Sequence, residues 1–332
     1  MLSIIVITKN ESLHVAKSIE SALLGARSVP EAEVLLVDSC STDGTVEIAS
    51  EFPIRILQLQ PHWRHTPAAG RFIGFFQSKG EYIFFLDGDS LLCPGFLPRA
   101  IDELSKGRLL AAVVGRRREL YWENGKCVGE GEEVNHVGSQ IKILDHAPGS
   151  AMYRRAALGA VGCFNPFLYA SEEAELGERL RQKGYGIAAL PVDMVIHNTT
   201  PRETLRTYFR RMKSQFHLGT GQVIRLRCAQ GRLPVCWLRQ EARALAVAAL
   251  LVFGTLALAA GLLTGVWGLM WLWLAIVIAG MLLFMLKAGS ILKPFKYAVV
   301  WTFQVYALAR GCLLRPHEPG EYPTEATIIK GR

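Results

Sequence analysis

From Ala244 to Leu286 the chain runs 43 residues without an Asp, Glu, Lys or Arg. A helix crosses a bilayer with roughly 20 apolar residues, so this run can cross, turn and return. It predicts a transmembrane hairpin with arms from Ala244 to about Leu263 and from Trp267 to Leu286, joined by Thr264-Gly265-Val266. The competing reading, a buried pair of core helices, asks a soluble core for an uncharged run about twice the length of one span. Charge supports the membrane. The formal net charge is +8, and residues 202–243 alone supply it, with ten Arg or Lys against Glu203 and Glu241.

A basic block abutting a span marks the cytoplasmic side and suits anionic membrane lipids. Nucleic acid is not expected as a partner, because no recognition motif accompanies the block. Arg239 and Arg243 before the hairpin, and Lys287, Lys293 and Lys296 after it, put both ends in the cytoplasm. Within residues 201–243, Leu205, Tyr208, Phe209, Met212 and Phe216 recur at helical spacing among basic residues, which predicts an amphipathic helix lying on the membrane. Residues 297–314 are apolar but broken by Gln304 and Arg310; an interfacial or re-entrant helix is expected, since crossing would export Arg315, Lys330 and Arg332. The tail from Pro316 reads as a loosely ordered segment. Seven cysteines show no Cys-x-x-Cys spacing, which suggests neither zinc nor disulfides and agrees with a reducing compartment. The strand-like N-terminus predicts no cleavable signal peptide, leaving insertion to the C-terminal spans. The oligomeric state is open.

The first 200 residues are organised around Tyr82-Ile83-Phe84-Phe85-Leu86-Asp87-Gly88-Asp89, an apolar run ending in two carboxylates. Such a run reads as a strand buried on both faces inside a parallel sheet. Its acids then lie at the strand's carboxyl end, where open α/β sheets bind ligands. Two carboxylates held there call for a cation, and oxygen ligation with the remaining shell left to water and phosphate suits Mg²⁺ or Mn²⁺. The alternative is an Asp-Gly turn closing a hairpin. Leu2 to Thr8 reads as a first strand, with Ser12 as N-cap of the following helix; Glu33 to Asp38 repeats strand and terminal acid; a third strand is expected around Ile54 to Leu59 and a helix from about Ala68 to Lys79. This α/β rhythm predicts a doubly wound, mostly parallel sheet. No Walker loop and no Gly-x-Gly-x-x-Gly interrupts it, which argues against a P-loop enzyme and a nicotinamide-binding domain.

Ile5-Val6-Ile7-Thr8-Lys9-Asn10-Glu11, Val37-Asp38-Ser39-Cys40-Ser41-Thr42-Asp43-Gly44-Thr45, Ala69-Gly70-Arg71 and Leu86-Asp87-Gly88-Asp89 resemble the successive motifs of family 2 nucleotide-sugar glycosyltransferases of GT-A fold. Similarity continues through Gly149 to Leu158, Val161-Gly162-Cys163-Phe164 and Ser171-Glu172-Glu173. With the hairpin, the chain is most similar to membrane-anchored members that build exopolysaccharides of the succinoglycan type. The resemblance implies a GT-A domain over 1–200, followed by interface helices over 201–243, the hairpin over 244–286, and a further helix and tail over 287–332.

It also implies roles. Asp38 would accept from the uracil imide, with Thr8, Asn10 and Glu11 around base and ribose; Arg71 would meet base or diphosphate. Asp87 would bind the ribose side and Asp89 the metal, Mn²⁺ or Mg²⁺, with His197 resembling a histidine some members place near the metal or diphosphate. Glu172-Glu173 corresponds to the acidic pair whose second member, usually aspartate, acts as base; this falls on Glu173, and which of the two reaches the acceptor stays open. Asp145, His146 and Tyr153 are candidates for the acceptor side. The Gln-x-x-Arg-Trp motif of processive synthases is absent, which predicts transfer of a single sugar. The expected activity is inverting, metal-dependent transfer from a UDP-sugar to a polyprenyl-linked saccharide at the cytoplasmic membrane face. Transfer to polyprenyl monophosphate and a non-catalytic nucleotide-sugar-binding membrane subunit are the alternatives.

Overall fold

The computed structural model describes residues 1–123, 126–131, 138–200 and 212–331. The expected interface positions Leu205, Tyr208 and Phe209 lie outside the described residues, as do Arg202, Arg206, Arg210 and Arg211. The chain divides into two units, one of residues 1–207 with 317–332 and one of residues 208–316.

The first unit is built on one sheet. Strands β1 (Leu2–Thr8), β2 (Ala32–Asp38), β3 (Arg55–Gln58) and β4 (Tyr82–Asp87) form a parallel ladder in the order β3-β2-β1-β4. Every residue of β1 is buried, as a strand covered on both faces requires. Helices α1 (Val15–Ala26), α2 (Thr45–Ser50) and α3 (Pro67–Gln77) make the crossovers. Helix α1 starts later than Ser12, because the Ser12 N–H is held by Asp43 Oδ2 at 3.0 Å in the neighbouring loop.

Beyond β4 the sheet is mixed. Asp87-Gly88-Asp89 does not close a hairpin: β5 (Ser90–Leu92) leaves β4 and pairs antiparallel with β10 (Gly186–Thr199). The helix α4 (Phe96–Lys106) leads to β6 (Leu110–Glu123), which pairs with β7 (Lys126–Glu130); β8 (Lys142–Ile143) pairs with β10. Between them β9 (Ala151–Arg154) runs antiparallel to both β4 and β6. Parallel strands β6 and β10 lose register between Ala189 and Asp193, where Pro191 has no N–H for the ladder. Helices α5 (Arg155–Val161) and α6 (Glu172–Gln182) follow β9.

Helix α3 lies unusually close to β1. A Cβ at Gly74 would stand 2.5 Å from Ile5 Cγ2, and one at Gly70 would stand 3.3 Å from Ile7 Cγ2. Two glycines one turn apart thus let the helix settle on the strand, which carries Arg71 to the strands' carboxyl ends.

The tail differs from its expectation. Thr327–Lys330 forms β11, antiparallel on the outer edge of β3, and Tyr322 is 3% exposed in the core of the first unit. A four-residue strand has too little period to announce itself, whereas the open edge of β3 offers a row of unpaired backbone groups.

In the second unit, Ala242–Thr264 and Gly268–Ala288 have mean hydropathies of 2.4 and 2.5 and are long and apolar enough to cross a membrane. Gly265, at φ 74°, turns between them. Trp273 Nε1 donates to Leu250 O at 2.8 Å, its ring filling the space that a side chain at Gly254 would need. A third helix, Leu292–Leu313, meets Gly219–Ala229 where Gly221 faces Gly311. Gln304 Nε2 donates to Glu241 Oε2 at 2.8 Å, giving a polar side chain of the third helix a partner.

Replacement of Gly74 by alanine should test the α3 contact. Overpacking against Ile5 is expected to cost about 1–3 kcal/mol, read as a fall of roughly 2–12 °C in the melting temperature of the detergent-solubilised chain. An unchanged or raised temperature would mean that Ile5 gives way and the helix propensity of alanine decides.

Candidate active site

Strand register sets the site. Thr8 pairs with Asp38 and Ile7 with Asp87, so the acids of β2 and β4 flank the end of β1 at one sheet edge. Gly88 N–H donates to Ile7 O at 2.9 Å, and a Cβ on Gly88 would stand 2.5 Å from Thr8 Cγ2; the turn needs glycine to fold back over β1. The cleft above this edge has a volume of ≈ 210 Å³, lined by Thr8, Glu11, Asp87, Gly88 and Asp89 together with Ser39, His65, Thr66 and Pro67.

Asp38 holds the β1 and β2 loops together. Its carboxylate is fully buried and accepts from Ser41 N at 2.8 Å, Ser41 Oγ at 2.5 Å, Gln58 Nε2 at 3.0 Å and Thr8 Oγ1 at 3.3 Å. An ionised carboxylate has about four acceptor positions, so a nucleobase N–H reaches Asp38 only by displacing one of these donors. Asn10, at φ 58°, serves the same junction: its N–H donates to Ser41 Oγ and its Oδ1 accepts from Thr42 N, both at 2.8 Å.

The second group is centred on Arg71. This guanidinium is 2% exposed, with Nη2 on Asp87 Oδ1 and Nη1 on Glu172 Oε1, each at 2.9 Å, and Glu173 Oε1 at 3.7 Å. The Phe164 ring lies 5.4 Å from its Cζ. Burial opposes the charge on Arg71, but Asp87, Glu173 and Glu172 outweigh it and hold the group more firmly protonated than usual. Three carboxylates around one guanidinium leave an excess of negative charge. Burial, and then Glu173 beside it, push the Glu172 carboxyl up to about 8, against the pull of Arg71. Gly149 completes the packing, since its Cβ would stand 2.7 Å from Asp87 Oδ2 and 2.8 Å from Arg71 Nη2. The acidic pair is therefore divided: the Glu172 side chain is 5% exposed and bound to Arg71, while that of Glu173 is 24% exposed.

The third group lies at Asp89. His197 Nε2 stands 3.3 Å from Asp89 Oδ2, and its Nδ1 stands 3.6 Å from Glu119 Oε1, just beyond hydrogen-bond reach. Burial disfavours the imidazolium, but the carboxylates of Asp89 and Glu119 outweigh it and lift His197 to about 9. Glu119 is itself held by Arg117 Nη2 at 2.8 Å, and Asn198 donates twice to the Asp89 carbonyl, from its N–H at 2.9 Å and from Nδ2 at 2.8 Å. Glu11 is raised to about 8, by burial first and then by Asp89, Asp43 and Asp87. Asp89, Asp43 and Asp87 add to the effect of burial there, and that part of the rise is negative charge a cation would relieve. Asp89 supplies one protein donor and His197 a second once a cation displaces its proton, and no group of three is preassembled among the described residues. Two protein donors with the remaining positions open to substrate oxygens and water fit Mg²⁺ or Mn²⁺.

Not every expected residue reaches the cleft. Tyr153, placed on the acceptor side by resemblance, is 1% exposed and packs its ring against Phe85 and Phe164; burial raises its hydroxyl pKa. Strand alternation turns it into the core, so it does not face an acceptor. The Asp145 side chain is 90% exposed, 4.0 Å from Arg181, and neither it nor the exposed His146 lines the cleft. Both sit beside Gly177, one turn along α6 from Glu173. Conversely, Ser39, His65, Glu119 and Asn198 are site residues that sequence reasoning did not assign. Glu119 stands opposite His197 in the β6–β10 register, which exists only once the strands pair. Two-residue spacing of Arg117 and Glu119 was the available sign that they share a strand face.

Residues 3–162 match the protein family described as Glycosyl transferase family 2. The chain is 25% identical over 193 residues to the O-antigen chain rhamnosyltransferase WbaN of Salmonella anatum, covering 53% of this chain and 60% of that protein. It is 25% identical to Glycosyltransferase AglE of Haloferax volcanii, over 67% of this chain and 73% of the relative. Succinoglycan biosynthesis protein ExoA of Rhizobium meliloti is 27% identical over 54% of this chain and 57% of its own length. Among solved structures, S. aureus TarS 1-349 in complex with UDP-GlcNAc aligns with a TM-score of 0.47 and 18% identity, over 66% of each chain. The family match runs from β1 through α5 and stops before Glu172. Residues 3–162, a little under half of the chain, are thus a glycosyl transferase family 2 domain.

Proposed function

We propose that this protein transfers one sugar, with inversion, from a UDP-sugar to a lipid-linked saccharide at the cytoplasmic face of the membrane, in the assembly of a polysaccharide or other glycan. The observation that carries the reading is the Arg71 cluster. It joins Asp87, at the donor edge, to the start of α6, and leaves Glu173 partly exposed beside it. Glu173 is then the base. Its carboxylate takes the proton of the acceptor hydroxyl as that oxygen attacks the anomeric carbon; the bond from that carbon to the diphosphate breaks, and the diphosphate leaves with the electron pair. Arg71, 3.7 Å from Glu173 Oε1, holds the base in place, and Glu172, bound to Arg71, does not take the proton.

Asp87 binds the ribose side of the donor, and Thr8, Asn10 and Glu11 close around base and ribose. Asp89 and His197 would hold Mn²⁺ or Mg²⁺, which supplies positive charge to the leaving diphosphate. The lipid acceptor is supported by two helices apolar and long enough to cross a membrane and by the basic segment before them. Relatives named for O-antigen and succinoglycan work support glycan assembly.

Glu173→Gln should lower turnover by a factor on the order of 10² or more, as loss of a positioned base does, while UDP binding stays at the parental level. Purified protein supplied with candidate UDP-sugars, Mn²⁺ and extracted lipid reads this out as UDP release. Retained turnover would favour transfer to polyprenyl monophosphate, whose oxygen is already anionic. Release of no UDP by the parent with any donor would leave a binding subunit.

Asp89→Asn keeps volume but removes a charge. Turnover should fall by a factor on the order of 10² or more, and the thermal stabilisation that UDP with Mn²⁺ gives the parent should largely vanish. The melting temperature without donor should change little, because losing the Asp89 pair with His197 opposes the relief of charge around Glu11. A lower melting temperature with intact metal-dependent turnover would move the metal elsewhere.

A further inference from the structure

The cleft is framed by two loops far apart in sequence. Residues 60–67 contribute His65, Thr66 and Pro67 to its lining, and residues 164–171 lead directly into Glu172 and Glu173. The loops are tied to one another. Arg64 Nη1 donates to Phe167 O at 2.8 Å, Thr66 Oγ1 donates to Pro166 O at 2.7 Å, and the Arg64 guanidinium lies 4.8 Å from the Tyr169 ring. Thr66 also caps α3, the helix that carries Arg71.

A third segment closes this junction, and it comes from the end of the chain. Tyr322 is 3% exposed, with ring centroids 5.2 Å from Trp63, 5.5 Å from Phe167 and 5.9 Å from Phe72. Its hydroxyl donates to Arg64 O at 2.7 Å. His317 stacks on Phe167 at 4.6 Å and 24°, and its carbonyl accepts from Asn165 Nδ2 at 3.2 Å. The intervening turn is preformed, because the Glu318 and Glu321 side chains cap each other's backbone. One rigid aromatic therefore touches both loops at once, and its only polar atom is satisfied on one of them.

We propose that Tyr322, supported by His317, is a positioning residue for glycosyl transfer: it fixes Trp63 and Arg64 against Phe167 and so sets the donor wall relative to the start of α6. This rests on reading the cleft as the UDP site and Glu173 as the base. Displacements of about 1 Å in a positioning element cost up to ~10²-fold in rate, so a ring that spans both loops has leverage although it touches no substrate.

The test uses the full-length chain with Tyr322→Leu, Tyr322→Phe, His317→Ala and Lys330→Ala. Lys330 holds the Ser50 and Phe52 carbonyls at the end of α2 and controls for loosening the tail away from the cleft. UDP with Mn²⁺ is the probe, read by calorimetry, and backbone hydrogen exchange is followed across residues 60–67 and 165–171 without ligand. Tyr322→Leu should weaken UDP about tenfold and speed exchange in both segments; Tyr322→Phe should recover most of the affinity. Lys330→Ala should bind UDP as the parent does, even with a lower melting temperature. A Tyr322→Leu protein that melts earlier yet keeps parental affinity and exchange overturns the proposal. Should that variant fail to fold, His317→Ala decides, with affinity about threefold weaker and faster exchange across 165–171 expected, and parental behaviour overturning it. If the parent itself does not bind UDP, the nucleotide reading has failed, and exchange alone decides the positioning role: faster in both loops supports it, unchanged refutes it.

Discussion

A single buried guanidinium connects the parts of this enzyme. Arg71 joins α3, where it resides, to the end of β4 through Asp87 and to the first turn of α6 through Glu172. Taking an arginine out of water costs several kcal/mol, and only well-made ion pairs and hydrogen bonds offset it. The loss of one partner would strand the others, so the three elements keep their spacing together. The glycines around Arg71 belong to the same constraint: Gly74 brings α3 down onto β1, and Gly149 leaves room where Asp87 and Arg71 meet.

The same cluster divides labour within the acidic pair. Two adjacent glutamates in a first helical turn look alike in a sequence, since both profit from the helix dipole. Their surroundings separate them. Glu172 turns inward to Arg71, where burial pushes its carboxyl up, while Glu173 keeps an open face.

What could be read from the chain followed locality. Buried strands β1, β2 and β4 ending in Asp38, Asp87 and Asp89 were legible because period and turn residues lie within a few positions of each other. The mixed half of the sheet was not, because β9 sits between β4 and β6 by long-range pairing. Tyr153 was misplaced for the same reason: motif position does not say which face of β9 is covered. Glu119 and Asn198 were missed since their meaning depends on β6 lying beside β10. Tyr322 escaped notice because its partners are some 150 or more residues away, in the core of a unit it joins last.

That late return has a topological consequence. β11 lies in the same sheet as β3, so the first 200 residues and the last fifteen or so belong to one folded body. One body occupies one side of a bilayer. If Ala242–Thr264 and Gly268–Ala288 cross, the chain between the two parts of that body must cross an even number of times, and these two crossings meet that condition without a third. The order of events follows as well. The edge of β3 waits unpaired during synthesis until Thr327–Lys330 has been made, so the sheet of the first unit is completed only after both apolar helices have been translated.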